Sequence, residues 1–247
     1  RATGMVPRRA AREGPGTDHR VHEGEQGDEV GEVTYWTMKT VAVIPAFNEK
    51  GRINDVLRNV VKYVDAVVVI DDGSMEPVAQ FVHSDPKITV LRHRINLGKG
   101  AALKTGCEAA QRLGADVIVC MDSDGQHSPQ DIPKFLNQLE KEQCDIVFGS
   151  RKIGKDMPLM MMLGNKFLSI TMSLLFGIYV SDTQSGFRVF RTSAYPKLAW
   201  ESPRYAVETE MIVNAGKHKL RWRESEIETI YHDKYKGTTV FDGVRIF

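Results

Sequence analysis

The sequence predicts an α/β fold in which a mainly parallel β-sheet is flanked by helices on both faces. Three observations support this prediction. Short apolar runs alternate with segments of helical periodicity, which is typical of repeated strand–helix–strand units. The apolar runs are nearly continuous, as parallel strands are when both of their faces are buried. Polar residues follow each run, at the strand ends where such sheets bind their ligands.

Five strands and three helices are expected between residues 40 and 149. The strands are predicted at Thr40–Pro45, Ala66–Ile70, Ile88–Arg92, Asp116–Met121 and Cys144–Gly149. The helices are predicted at Gly51–Val64, Gly100–Leu113 and Pro129–Glu142. Ser128 and Pro129 should be the N-cap and first residue of the third helix, because serine and proline are favoured at those positions.

Composition limits the class of protein. The chain has 247 residues, of which 42% are hydrophobic and 26% are charged, and this fits one α/β domain or two small ones. A formal net charge of +1 gives no reason to expect nucleic acid as a partner. The three cysteines, Cys107, Cys120 and Cys144, are widely spaced. We therefore expect buried thiols in a reducing compartment and no zinc site.

The two ends of the chain differ from its middle. Residues 1–37 are charged and glycine-rich without apolar periodicity, so a disordered extension is predicted there. The catalytic domain is then expected at residues 38–247. The chain stops at Phe247 in mid-pattern and without a helix stop signal, which favours a domain truncated at its C-terminus.

One apolar stretch, Met157–Val180, raises the question of membrane contact. Asn165 and Lys166 interrupt it, so each apolar part is too short to span a bilayer. The stretch fits a helix that lies partly in a membrane interface, and it fits a plain core helix equally well.

A pair of carboxylates directly follows the fourth predicted strand. Asp122, Asp124 and Gln126 occupy alternate positions and offer the hard oxygen ligands that Mg²⁺ or Mn²⁺ prefers. The segment Asp-Ser-Asp-Gly at residues 122–125 also fits an ordinary turn, because Asp, Ser and Gly are favoured turn residues. Comparable polar clusters follow the other strands, at Pro45–Glu49, Asp71–Ser74, Asn96–Gly100 and Gly149–Lys152. This gathering at one sheet edge favours the metal site.

The segment NLGKGAALKTG resembles a phosphate-binding loop but does not complete either standard pattern. Leu103 stands where a P-loop and a dinucleotide fingerprint both need glycine. What remains is a flexible loop with Lys99 at a helix N-terminus, which suits contact with an anion such as a nucleotide phosphate. Patterns of serine hydrolases and zinc proteases do not occur.

Six motifs in order carry a family resemblance: VAVIPAFNE, VVVIDDGS, NLGKGAAL, DSDGQHSP, GSR and DTQSGFR. Over Lys39–Phe247 the chain resembles family 2 glycosyltransferases, in particular the polyprenyl-phosphate (dolichyl-phosphate) hexose synthases. The resemblance implies a single Rossmann-like GT-A domain. It also implies metal-dependent, inverting transfer of a hexose from GDP-mannose, UDP-glucose or UDP-N-acetylglucosamine to polyprenyl phosphate. An enzyme of this kind would sit peripherally at the cytoplasmic face of a membrane.

The resemblance also implies roles for individual residues. Those expected to hold the nucleoside are Pro45, Phe47, Glu49, Asp71 and Asp72. The expected metal ligands are Asp122, Asp124 and Gln126, with Mg²⁺ or Mn²⁺ as cofactor. The acceptor phosphate is expected to meet Arg151, Ser185, Arg188, Lys234 and Lys236, with Asp182 near it.

Each of these roles has a structural alternative. Arg151 could be a surface arginine paired with a carboxylate, and Arg188 could belong to the polar face of an edge strand. Asp182 could cap a turn. Glu208 and Glu210 could orient sugar or acceptor, or they could simply favour the dipole of the helix that they open.

Two other functions remain open at this point. A family 2 transferase acting on a polysaccharide or protein hydroxyl would need a general-base carboxylate near the acceptor. A nucleotide-sugar binding module without turnover would not need both the paired carboxylates and the two arginines. Neither the sugar nor the nucleobase follows from the sequence, since Asp71 or Asp72 could accept a hydrogen bond from guanine or uracil.

Overall fold

Seven strands form one sheet in the computed structural model of the protein, which describes residues 38–151, 159–204 and 206–228. The strands are β1 (Thr40–Ala46), β2 (Ala66–Asp71), β3 (Ile88–Arg92), β4 (Val117–Cys120), β5 (Ile146–Arg151), β6 (Arg188–Arg191) and β7 (Trp222–Ile227). The helices are α1 (Ile53–Val60), α2 (Lys99–Arg112), α3 (Ile132–Lys141), α4 (Leu159–Phe176), α5 (Tyr195–Leu198) and α6 (Val207–Lys217). Short 3₁₀ turns lie at Val78–Gln80, Pro129–Asp131 and Thr192–Ala194.

The sheet is mainly parallel, with the strand order β3-β2-β1-β4-β6-β5-β7. β1 pairs in parallel with β2 and β4, and β2 pairs in parallel with β3. β6 is antiparallel to both of its neighbours, β4 and β5, while β7 is parallel to β5. The other six described strands therefore end at the same edge of the sheet, and β6 begins there.

Helices cover both faces of the sheet. Val41, Val43, Val68 and Ile70 share a core cluster with apolar residues of α2 and α6. The residues between them in sequence, such as Ile44, are also fully buried, and they point to the opposite face because strand side chains alternate. On that face α3 is anchored by aromatic stacking of Phe135 on Phe187, with ring centroids 4.5 Å apart.

The predicted α/β fold and its first elements are confirmed. Each of the five predicted strands and three predicted helices exists, with ends that differ by up to four residues. The largest strand shift is at β5, because Cys144 lies in the turn that closes α3, where its N–H donates to the Leu139 carbonyl at 3.1 Å. All three cysteines are free and buried, as expected.

One local prediction and one structural alternative are wrong. Ser128 makes no side-chain capping bond, and Pro129 opens a 3₁₀ turn before α3 begins at Ile132. Arg188 does not belong to an edge strand, because β6 lies inside the sheet between β4 and β5. The predicted disordered extension, residues 1–37, lies outside the described residues.

From residue 164 onward, α4 packs on the domain with one side only. Ser169 and Met172 are buried, whereas Phe167, Leu174 and Leu175 on the other side are 69%, 81% and 68% exposed. A plain core helix is therefore the wrong interpretation of this stretch. Within the described ranges, no helix has the length and apolarity needed to cross a membrane.

Gly106 allows α2 to lie directly on β1 and β2, and this contact can be tested. A Cβ atom at this position would come within 2.3 Å of Val43 Cγ1 and 3.2 Å of Ile70 Cγ1. We expect Gly106→Ala to lower the free energy of unfolding by about 1–3 kcal/mol, the usual cost of overpacking. This cost should exceed the gain of about 1 kcal/mol from helix propensity.

The measurement is urea unfolding followed by circular dichroism. Gly51→Ala is the matched control, because a Cβ atom there meets nothing within 4 Å, and a change within about 0.5 kcal/mol is expected. A Gly106→Ala variant as stable as the wild type would contradict this packing of α2.

Candidate active site

The loops that follow β1, β2, β3 and β4 meet at one edge of the sheet. Register explains the first part of this meeting, since Ala46 at the end of β1 lies beside Asp71, and Asp71 lies beside Arg92. Asn48, just after β1, ties the first two loops together. Its N–H donates to Ser74 Oγ at 2.9 Å, and its Oδ1 accepts from the Met75 N–H at 2.9 Å.

Asp71 holds the loop after β2 in shape. It is fully buried, and its two carboxylate oxygens accept from the N–H groups of Ser74 and Val78 at 2.9 and 3.0 Å. Burial raises the pKa of this carboxyl, but the bonds from Ser74 and Val78 and the charge of Arg92 outweigh it and keep the pKa below its usual value. Asp71 is thus an ionised support of the loop.

Asp72 connects β2 to the NLGKG loop. Its oxygens accept from the N–H groups of Leu97 at 3.0 Å and Gly98 at 2.8 Å. His93 Nδ1 lies 2.7 Å from Asp72 Oδ1, while His93 Nε2 lies 2.9 Å from Thr105 Oγ1 on α2. This network fixes the position of the loop that leads into Lys99.

Of the three residues predicted from PAFNE, Phe47 is the most open. Its side chain is 49% exposed, so its ring is available to a ligand at this edge. Pro45 is buried within β1, and Glu49 is half-buried. Asp71 lies beside Ala46 on the neighbouring strand and Asp72 follows it, but the carboxylate oxygens of both already accept hydrogen bonds from loop N–H groups.

The predicted metal ligands lie together after β4. Asp124 Oδ1 accepts from the Gln126 N–H at 2.9 Å, in a tight turn where Gly125 has a φ of 75°. Gly186 leaves room for the Asp122 carboxylate, because a Cβ atom at that position would lie 2.6 Å from Asp122 Oδ2. The N–H of Asp122 faces His127 Nδ1 at 3.4 Å, and burial lowers the pKa of His127.

Lys99 links this metal motif to α6. Its Nζ lies 2.6 Å from Asp122 Oδ1 and 2.8 Å from Glu208 Oε1. Burial lowers the pKa of Lys99, but the two carboxylates more than compensate and raise it well above its ordinary value. In turn, burial raises the pKa of Asp122, while Lys99, His127 and Arg151 bring it below its usual value.

The donor set fits a magnesium-type ion that also binds phosphate. In the part of the chain that the structure describes, no group of three or more His, Cys, Asp or Glu side chains is placed to hold a metal. Mg²⁺ and Mn²⁺ do not need such a cage, because one or two carboxylates together with substrate phosphates and water suffice. Asp122 and Asp124, with the amide oxygen of Gln126, could supply the protein ligands.

Arg151, at the end of β5, forms a two-pronged ion pair with Asp182. Its Nε lies 2.6 Å from Asp182 Oδ2 and its Nη2 lies 3.0 Å from Oδ1. Burial raises the pKa of Asp182, but its bonds with Arg151 keep the pKa below the usual value. Arg151 is thus paired with a carboxylate, as the structural alternative proposed. The pair also lies within electrostatic reach of Asp122, so this pairing does not exclude a role in the site.

Arg188 lies beneath the site and does not reach its open edge. The side chain is 2% exposed, and it donates to the carbonyls of Ser185, Glu208 and Thr183 at 3.2, 2.7 and 3.4 Å. Its guanidinium also lies over the Phe148 ring, 5.2 Å from the centroid. These contacts fix the loop before β6 and the start of α6.

The remaining predicted acceptor residues divide into two groups. Ser185 is 3% exposed, and its Oγ accepts from the Phe187 N–H at 3.4 Å, so it is part of the same buried loop. Lys234 and Lys236 lie outside the described residues.

Several structural residues of the site escaped sequence reasoning. His93 belongs to none of the quoted motifs, and Thr105 and Gly186 lie inside quoted segments without an assigned role. The roles of all three come from contacts with other segments of the chain. Asn48 was inside a recognised motif, but its bonds to the next loop could not be foreseen.

Comparisons with known proteins agree with this geometry. A family model described as "Glycosyl transferase family 2" matches residues 41–199. The chain is 35% identical over 230 residues to the UDP-N-acetylglucosamine–dolichyl-phosphate N-acetylglucosaminyltransferase of Methanococcus voltae, covering 83% of this chain and 92% of the relative. It is 25% identical over 224 residues to the undecaprenyl-phosphate mannosyltransferase of Micrococcus luteus, covering 83% and 88%.

A solved structure shows the same fold. Glucosyl-3-phosphoglycerate synthase of Mycobacterium tuberculosis, crystallised with Mn²⁺, uridine diphosphate and phosphoglyceric acid, has a TM-score of 0.62 at 18% identity, covering 85% of this chain and 74% of that one. Fold and family match together define a glycosyltransferase with a GT-A-like α/β domain. The chain belongs to glycosyl transferase family 2.

The close approach of Gly186 to Asp122 gives a test of the metal motif. In Gly186→Ala the new methyl group should displace the Asp122 carboxylate, since it would lie 2.6 and 2.9 Å from the two oxygens. We expect glycosyl transfer to fall about 10- to 100-fold, the usual effect of disturbing the support of a metal ligand. The measurement is the rate of transfer as a function of Mn²⁺ concentration.

Gly164→Ala is the control for this variant, because nothing lies within 4 Å of a Cβ atom at that position. It should transfer at the wild-type rate. Wild-type activity and Mn²⁺ dependence in Gly186→Ala would show that the position of Asp122 does not matter for the reaction.

Proposed function

We propose that the protein transfers a hexose from a nucleotide sugar to the phosphate of a polyprenyl (dolichyl) phosphate, with Mg²⁺ or Mn²⁺ as cofactor. The observation that carries this proposal is that an acidic metal-binding motif and an arginine–carboxylate pair lie at the same edge of the sheet. The carboxylates of Asp122 and Asp124 suit a metal-bound diphosphate, and the Arg151–Asp182 pair lies within electrostatic reach of Asp122. The relatives named for transfer to dolichyl and undecaprenyl phosphate support the same acceptor class.

The donor side requires neutralisation of charge. A nucleotide sugar leaves as a nucleoside diphosphate, and a divalent cation stabilises the negative charge that develops on it. Asp122, Asp124 and Gln126 would hold that cation. The exposed ring of Phe47 and the nearby Glu49 would meet the nucleoside, while Asp71 and Asp72 hold the loops on which it rests.

The acceptor side requires positioning more than proton transfer. A phosphate monoester has a second pKa of about 6, so its nucleophilic oxygen is already largely ionised at neutral pH. An arginine suits the task of bringing this anion near the diphosphate, since its planar fork matches phosphate geometry. We assign this task to Arg151, which Asp182 holds in place through two hydrogen bonds.

Arg188 and Ser185 receive a supporting role in this proposal. Both are buried, and Arg188 fixes the carbonyls of Thr183 and Ser185. They would keep the loop that carries Asp182 in register with β5. Lys234 and Lys236 remain predicted acceptor contacts.

A hydroxyl acceptor receives less support from the site. Such an acceptor would need a carboxylate acting as general base. Asp182 is ion-paired with Arg151 and has a lowered pKa, which makes it a poor base. Glu208 is ion-paired with Lys99. Asp182 and Glu208 are thus both bound to a cation, while Glu210 already accepts hydrogen bonds from two backbone N–H groups.

The exposed side of α4 offers a place for the membrane that would hold the lipid acceptor. Its apolar members are Phe167, Ile170, Leu174 and Leu175. Lys217 stands at the end of this surface, with its Nζ 5.5 Å from the centroid of the Phe176 ring, as is favourable near anionic lipids. The enzyme would lie peripherally on the cytoplasmic face, with α4 against the lipid.

α4 is also bonded to the acceptor side of the site. Asn165 donates to the Ser181 carbonyl at 2.7 Å, and its Oδ1 accepts from the Thr183 N–H at 2.9 Å. These residues flank Asp182. A membrane bound on α4 would therefore present its phosphate groups close to Arg151.

The transfer itself is tested with a panel of radiolabelled nucleotide sugars, polyprenyl phosphate in detergent, and Mn²⁺ or Mg²⁺. We expect label to enter the organic phase with one donor and only with metal. Asp124→Ala should reduce this transfer about a hundredfold or more, because it removes a ligand of the ion that stabilises the leaving group.

Asp55→Ala is the control for that variant, since Asp55 is an exposed residue of α1, and it should transfer normally. Both variants should show the circular dichroism spectrum of the wild type. Full transfer by Asp124→Ala in the presence of a chelator would exclude the metal site. Binding of donors without labelling of any lipid would exclude the acceptor class.

The membrane surface is tested with the double variant Leu174→Glu, Leu175→Glu. It should bind vesicles containing anionic lipid at least about tenfold more weakly, because each inserted leucine contributes roughly 1.5 kcal/mol or more. Transfer to polyprenyl phosphate in vesicles should fall in parallel. Transfer to a short, water-soluble prenyl phosphate should not change.

Leu113→Glu is the matched control, because Leu113 is 40% exposed at the end of α2. It should bind vesicles as the wild type does. Unchanged vesicle binding by the α4 variant would show that the membrane meets another surface.

A further inference from the structure

A half-buried ammonium group is paired with one carboxylate oxygen of the metal motif. Lys99 Nζ lies 2.6 Å from Asp122 Oδ1, and the two side chains are only 18% and 26% exposed. The same Nζ lies 2.8 Å from Glu208 Oε1, whose side chain is 7% exposed. Lys99 therefore shares its charge between a residue assigned to the metal and a residue that opens α6.

A divalent cation and this ammonium cannot both use Asp122 Oδ1 without strong repulsion. Two like charges a few ångströms apart repel each other more strongly in a partly buried site than in water. Binding of metal alone would have to displace Lys99 from Asp122. The displaced ammonium would keep Glu208 as its only described partner.

The backbone around Lys99 is fixed, so the exchange must occur in its side chain. On one side, Asp72 Oδ2 accepts a hydrogen bond from the Gly98 N–H at 2.8 Å. On the other side the Gly100 carbonyl accepts from Trp200 Nε1 at 2.8 Å, and the Ala101 N–H donates to the Pro203 carbonyl at 3.0 Å. The flexible stem of a lysine can carry its ammonium between acceptors without moving this frame.

We infer that Lys99 is an internal counter-ion that occupies Asp122 until the metal and the diphosphate of the donor bind together. The inference rests on the proposed function, in which Asp122 belongs to the metal site. The diphosphate brings the negative charge that can accept the released ammonium, while Glu208 keeps the side chain nearby. Lys99 thus acts as a positioning residue that makes binding of metal depend on binding of nucleotide.

The test measures Mn²⁺ affinity by electron paramagnetic resonance, with and without uridine or guanosine diphosphate. The variants are Lys99→Met and Lys99→Gln, which remove the charge, and Lys99→Arg, which keeps it. Without nucleotide, both neutral variants should bind Mn²⁺ at least about tenfold more tightly than the wild type, because Asp122 no longer has a competing cation. Lys99→Arg should bind Mn²⁺ as weakly as the wild type.

With nucleoside diphosphate present, this gain should disappear or reverse, since the ammonium then has the diphosphate as a partner. Lys104→Met is the matched control, because it removes an exposed lysine from the same helix. It should leave Mn²⁺ affinity unchanged in both conditions. Lys99→Gln keeps hydrogen-bond donors for both carboxylates, so it provides the measurement even if Lys99→Met does not fold.

The outcomes separate this inference from the proposed function. If neutral variants bind Mn²⁺ no better than the wild type without nucleotide, Lys99 is only a structural ion-pair partner and the inference is overturned. A similar gain in Lys99→Arg would also overturn it, because the effect would not come from charge. If the wild type binds no Mn²⁺ even with diphosphate, the metal-dependent function itself fails.

Discussion

The common direction of the strands is the constraint on which the site depends. β1, β2, β4 and β5 all end at one edge of the sheet. Their ends bring together Phe47, Asp72, Asp122 and Arg151, which are far apart in sequence. β6 runs the other way and so begins at that edge, and its register places Arg188 beside Cys120 and Phe148. A buried cation therefore lies directly under the acidic motif.

The polar residues of this edge are held by one another. Asp71 and Asp72 accept hydrogen bonds from backbone N–H groups. Lys99 forms ion pairs with two carboxylates, and Arg151 forms an ion pair with Asp182. Buried charges persist only when they are paired and hydrogen-bonded. The pairs thus serve two purposes, since they stabilise the loops and they fix where metal and phosphate could bind. Such preorganisation reduces the rearrangement that the reaction requires.

Sequence reasoning predicted the elements with strong local signals. Continuous apolar runs identified the parallel strands, and Asp122-x-Asp124 stood out because carboxylates directly follow such a run. For β6 only an edge strand was weighed, because RVFR is short and has arginine at both ends, which does not reveal an internal strand. The partners of Arg188 are three backbone carbonyls, from the loop before β6 and from the start of α6, and a sequence does not show which carbonyls a side chain will meet. The nucleoside role of Asp71 and Asp72 remains a prediction. In the structure the carboxylate oxygens of both residues already accept hydrogen bonds from loop N–H groups.

The most direct test of this account is a crystal structure of the protein with Mn²⁺ and uridine or guanosine diphosphate, with the metal located by its anomalous scattering. The account predicts that Mn²⁺ is bound by Asp122 or Asp124, or by both, together with diphosphate oxygens, and that Lys99 Nζ has left Asp122 Oδ1. Manganese bound away from Asp122 and Asp124, or diphosphate bound at this edge without any metal, would contradict it.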